Sequence, residues 1–166
     1  MAIRLRLVTT QLALATALLL LASPADAQLR RGPRTFAQTL LREVLRQHPQ
    51  IKTMELAARR GGGCVTVAAT DVGDIGDRCD AKETRVMRSR EPDIEDPSMV
   101  DPAFVIAEAL HDASGRLVGL VITDVVLGRG GTREAALARA RAVRRDLESR
   151  IESLAQLTAG TPAASR

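Results

Sequence analysis

The chain has 166 residues, a formal net charge of +4, two cysteines, two Phe, and neither Trp nor Tyr. That basic excess is too small to point to nucleic acid. With Phe36 and Phe104 as the whole aromatic content, the chain offers no stacking platform for single strands and no cage for a quaternary amine.

Residues 1–27 read as a secretory signal. Arg4 and Arg6 form a basic start, Leu12 to Ala22 an apolar run, and Ser23-Pro24-Ala25-Asp26-Ala27 a small-residue stretch of the kind a signal peptidase reads. Cleavage is expected between Ala27 and Gln28. The competing reading is an uncleaved anchor, but the run falls short of the roughly 18–20 residues that a spanning helix needs. The expected location is the periplasm, or secretion. Removing Arg4, Arg6 and Asp26 changes the net charge by a single unit. The remainder suffices for one soluble domain with one core of Leu, Val, Ile and Ala.

Cys64 and Cys79 are an even pair in an exported chain, which favours a disulfide over two separate buried thiols. The closed loop of about 16 residues would then stabilise by roughly 3 kcal/mol in the chain-entropy model. Neither cysteine has a second ligand at metal spacing, and no C-x-x-C pair is present.

After a polar leader, 28–34, Phe36, Leu40, Leu41, Val44 and Leu45 recur at helical spacing behind Thr35, a suitable cap. Pro49 limits or kinks this helix. Ile51, Met54 and Leu56 to Ala58 suggest that it resumes until Arg60, where Gly61-Gly62-Gly63 ends it. Cys64 to Thr70 is a β-run, Asp71 to Asp80 a Gly/Asp turn region, Ala81 to Ser89 a short helix, and Glu91 to Pro102 an acidic, proline-rich loop. Two β-runs, Phe104–His111 and Arg116–Val126, flank Asp112-Ala113-Ser114-Gly115, which has hairpin-loop chemistry. If His111 pairs with Arg116, Phe104, Ile106, Glu108 and Leu110 share a face with Leu117, Gly119, Val121 and Thr123. The opposite face holds Val105, Ala107, Ala109, Val118, Leu120 and Ile122, and its small alanines suit packing against a helix. The face with Glu108 either meets water or lines a cavity, because a carboxylate buried without a partner is costly. Gly128 to Gly131 is a break without the ending of a phosphate loop. Thr132 caps a final helix, 128–158, whose stripe of Ala136, Ala140, Val143, Leu147, Ile151 and Leu154 is nearly heptad. That stripe packs on the domain or pairs with another chain. Residues 159–166 read as a tail.

This order resembles a Cache-type sensor domain, the extracytoplasmic relative of the PAS fold. The likeness rests on Cys64–Thr70 followed by Asp74-Ile75-Gly76, on Glu83 to Arg90 before the variable loop, and on His111-Asp112-Ala113-Ser114-Gly115-Arg116-Leu117-Val118-Gly119 within the final hairpin. It implies an α+β fold over 35–127. A PAS/Cache-like central antiparallel sheet would pack one face on the long N-terminal helix, with a C-terminal helix following. The other face would form a pocket for a small molecule, an organic acid or similar metabolite. The family's amino-acid-sensing signature is missing, since there is no Tyr or Trp. Members sit between membrane helices and drive a cytoplasmic output. This sequence carries neither, so a membrane sensor partner is expected to read its occupancy. The mixed face places the pocket beside Glu108 and Thr123, with Thr66, Thr70 and Arg85 as further ligand contacts.

Catalysis is not expected. His48 and His111 are far apart, and no Gly-x-Ser-x-Gly exists. Asp71, Asp74, Asp77 and Asp80 do not match calcium-loop spacing and suit turn chemistry, so neither metal nor cofactor is expected. The alternative function is a periplasmic structural or adaptor protein that homodimerises or docks through the 136–154 stripe.

Overall fold

The computed structural model describes residues 34–128 and 130–160. The signal segment, the Ala27/Gln28 junction and the chain from 161 lie outside them. Helix α1, Phe36–Gln47, starts at Thr35, whose hydroxyl accepts from the Gln38 amide at 3.1 Å. Its Ala37, Leu40, Leu41 and Val44 are buried. Gln38, also fully buried, donates from Nε2 to the Ala69 carbonyl and accepts the Ala69 amide, at 2.9 and 3.1 Å. One side-chain amide thus pins α1 to a strand end as a neighbouring strand would.

The segment after Pro49 is not helix. Ile51–Arg60 is strand β1, turning through Gly61 (φ 58°) and Gly62 into β2, Gly63–Ala69. The run Met54-Glu55-Leu56-Ala57-Ala58 has helix-favouring residues, but β1 is hydrogen-bonded on both sides, to β2 and to β5. Tertiary pairing overrides local propensity here. Gly61-Gly62-Gly63 is therefore a hairpin corner, and the N-terminal helix is correspondingly short.

Beyond β2, Asp71 accepts the Gly73 amide and opens a 3-10 turn, Val72–Asp74. The chain then returns along the free edge of β2. Thr66 N–H donates to Asp77, Gly76 N–H to Thr66 and Cys79 N–H to Cys64, and Cys64 is disulfide-bonded to Cys79. An edge that could pair with another chain is thereby covered. Asp80 and Glu83 form a capping box for α2, Ala81–Ser89. Short strand β3, Asp93–Glu95, lies inside the acidic loop.

Strands β4, Ala103–His111, and β5, Leu117–Val126, form the expected hairpin. Its register is displaced by two residues: Glu108 faces Val121, not Gly119, and Leu110 faces Gly119. A shift of two preserves faces. The irregularity beside His111 moves only the loop end, sending Leu117 to the alanine face and Val118 to the other. Gly119 lies against β1, where a Cβ would stand 1.9 Å from the Ala57 carbonyl oxygen. The sheet order is β2-β1-β5-β4-β3, antiparallel throughout.

The final helix is two helices. α3, Arg133–Glu148, ends at Ser149, and α4, Leu154–Thr158, begins at Ser153. Ala136, Ala140, Val143, Leu147 and Ile151 are all buried in the core of this same chain. The near-heptad stripe is consumed internally, so the surface on which homodimerisation or adaptor docking was expected is occupied. Helices α1, α3 and α4 cover one sheet face, with Met54, Leu56, Ile106, Leu110 and Val121 beneath them. Among the described residues, the other face carries α2 alone, over Ala57, Ala107 and Leu120.

Candidate functional site

The two faces bring together different sets of polar residues. Glu108 and Thr123 lie on the three-helix face. Thr123 is 1 % exposed, and its hydroxyl donates to the Ile106 carbonyl. Glu108, 2 % exposed, sits beneath α3, with Arg144 Nε at 3.7 Å and Arg141 Nε at 3.9 Å from its Oε1. Burial pushes its carboxyl up, while Arg144 and Arg141 pull it down. The mixed face expected to stay open is thus the helix-covered one. What allows a carboxylate there is the pair of arginines delivered by α3, a contact that strand alternation cannot reveal.

The alanine face is the less covered one. Thr66 is buried on it, its backbone engaged with the returning loop. Thr70 closes the end of β2: its Oγ1 accepts the Met54 amide at 2.9 Å and donates to the Met54 carbonyl. Arg85 projects from α2, 3.8 Å from Asp93. It lines a groove of about 690 Å³ with Cys79, Asp80, Thr84, Arg88 and Ser89. Arg88 donates to the Gly62 carbonyl at 2.7 Å, linking α2 to the β1–β2 corner. Of the five expected contacts, Thr66 and Arg85 therefore lie on the α2 side, Glu108 and Thr123 on the opposite face, and Thr70 at the strand end.

Glu55 belongs to the α2 side as well, opposite Ile122. Its carboxyl is pushed up to about 7, chiefly by burial, then by Asp74, Glu83, Asp124 and Asp77. The sequence reading missed Glu55 and Arg88. Once 51–60 is a strand, period-two alternation alone puts Glu55 on the face of Ala57.

The histidines have separate partners on α3: His48 meets Asp146 at 3.4 Å, and His111 Nδ1 meets Glu148 at 3.0 Å. Asp71 and Asp80 accept local backbone amides. Among the described residues, no group of three or more His, Cys, Asp or Glu is placed to hold a metal ion. No described helix is long and apolar enough to cross a membrane.

No protein-family model and no curated protein sequence matches the chain. Solved structures do. A GAF sensor protein from Burkholderia vietnamiensis superposes with TM-score 0.50 at 14% identity, over 76% of this chain and 83% of that one. The GAF domain of a phosphoenolpyruvate-protein phosphotransferase from Coxiella burnetii gives 0.48 at 14%, over 74% and 86%. The repressor BlcR of Agobacterium tumefaciens gives 0.43 at 17%, over 76% and 71%. The first likeness, with the strand order above, shows a GAF-like α+β fold.

Proposed function

We propose that the chain is a non-catalytic, sensor-type module that binds a small organic acid in the groove beside α2. The observation that carries this reading is the pairing of two exposed guanidinium groups, Arg85 and Arg88, in one groove on the sheet face that the terminal helices leave free. The Thr84 and Ser89 side chains beside them add hydroxyl donors. Arginine forks suit carboxylates. The likeness to a GAF sensor protein is in keeping with ligand binding by this fold.

The finer reading is an exported, stand-alone Cache-type domain whose occupancy is read by a membrane partner. Its support is the signal-like pattern of residues 1–27 and a disulfide of the kind that persists in oxidising compartments.

The test is thermal unfolding of the mature chain across a panel of mono- and dicarboxylates. A ligand at about a hundred times its Kd adds about 2.7 kcal/mol and raises the midpoint. The joint variant R85A/R88A should lose that response, measured against its own unliganded midpoint, since Arg88 also donates to the Gly62 carbonyl. A response undiminished in the variant, or none across the panel, refutes this site.

A further inference from the structure

A second cleft, of about 490 Å³, opens where the β4–β5 turn meets the last turns of α3, between His111, Asp112, Gly115, Arg144, Glu148 and Ser149. We propose that it binds a small oxyanion through Arg144, and that Glu108, buried behind Arg144, takes up a proton from solvent as the anion arrives.

Two charges in the cleft are already met by hydrogen-bond donors. Asp112 accepts from Ser114 N and Oγ and from Arg116 N and Nε, at 2.6 to 3.0 Å. Glu148 accepts the His111 amide at 3.1 Å and faces His111 Nδ1 at 3.0 Å. Both lining carboxylates are thus engaged by donors. Arg144 is met differently, by an ion pair to Glu108. Its Nε is buried without a hydrogen-bond partner, and so are both oxygens of Glu108. Their 3.7 Å separation is an ion pair without a hydrogen bond. Buried polar atoms left in this state call for an explanation. Here it is that Arg144 is held in place by a carboxylate that does not saturate it, with the cleft on its other side.

An anion entering the cleft competes with Glu108 for the same guanidinium. The charged groups acting on Glu108 from α3 are Arg144, Arg141 and Arg145, which favour its charged form, and Glu148, which opposes it. On its own strand, His111 is bound to Glu148. Once Arg144 is shared with a second anion, less charge offsets the burial of Glu108, so protonation is favoured. Anion and proton then bind with positive coupling. This is separate from the α2 groove, on another face and with other arginines.

The probe is sulfate, whose charge is constant over the pH range used, titrated into isotopically labelled mature chain against chloride at matched ionic strength. The amides of Gly115 and Ser149 should shift with sulfate. The affinity should be tighter at mildly acidic than at mildly alkaline pH by about fivefold or more. Glu108→Gln should bring the alkaline affinity close to the acidic one, and Arg144→Ala should abolish the shifts. Arg85→Ala should leave all of this unchanged, so the α2 reading can fail without affecting this one. Wild-type shifts equal in sulfate and chloride, or an alkaline affinity that Glu108→Gln leaves as it was, overturn the proposal. The wild-type titration decides even if Arg144→Ala does not fold.

Discussion

Among the described residues, one face of the sheet is covered by three helices and the other by one, and the polar residues follow that difference. Under α1, α3 and α4 the core contains Leu41, Met54, Leu56, Ile106, Leu110 and Leu147, all less than 2 % exposed. Under α2 it is a small cluster of Ala57, Cys64, Val86, Met87, Ala107 and Leu120. The thick side tolerates a buried carboxylate because α3 brings arginines to it. The thin side keeps its own partly buried carboxylate, Glu55, among other acids. The larger core is thus on one face, and the disulfide lies beside the smaller core of the other.

The largest expected effect tests the thickness itself. Leu41→Ala should cost about 4 kcal/mol and Met87→Ala about 2 kcal/mol, since the cavity term grows with how completely the site is enclosed. Urea unfolding of both variants measures this, and equal costs would break the comparison. Next, Cys64→Ala/Cys79→Ala should cost about 3 kcal/mol. Hydrogen exchange should show protection falling in α2 and the 71–80 loop before α1 and α3. Uniform loss across both faces would mean that the disulfide serves the whole fold.

The pH dependence sharpens the contrast. Glu55 and Glu108 are both raised in the folded state. Their contribution is therefore fully present below the unfolded carboxyl range and lost as pH rises through the folded values, about 7 for Glu55. Stability should increase on acidification from neutral pH towards 4.5, the ordinary Glu value. Glu55→Gln should flatten this rise by about 2 kcal/mol after allowance for solvent screening. Asp112 runs the other way. The Ser114 hydroxyl first, then Arg116, hold its carboxyl down to about 2, so stability is lost again as pH falls from the ordinary Asp range through that value. A midpoint that falls steadily from pH 7 downwards would refute the assignment. The smallest effect is Asp80→Ala, which removes half of the α2 capping box and should cost about 1 kcal/mol, read as loosening of α2 alone.

Much of the fold was legible. Thr35 and its apolar face announced α1. The short helix over 81–89 was legible, and the Asp112–Gly115 turn placed β4 and β5 with their faces sorted except at Leu117 and Val118, which exchange sides. Strand β1 was not legible, because Met54, Glu55, Leu56 and Ala57 favour helix locally and become a strand only between two partners. The break in the last helix was hidden for a related reason: the stripe continues to Ile151 although the helix stops at Glu148. The site was legible only in part. Arg85 was named and Arg88 follows it by three residues on the same helix, but Glu55 was out of reach while 51–60 was read as helix, and Glu108 was assigned to an open face.

By itself the sequence determined the alternation along β4 and β5, the helix caps, the turn chemistry and the disulfide partners, all of which depend on neighbours a few residues apart or on a count of two cysteines. Tertiary structure decided which face is covered. Helix α3 joins the sheet only after the last strand is complete, and its arginines make burial of Glu108 tolerable. That choice rests on charges more than thirty residues apart along the chain, and no local pattern encodes it.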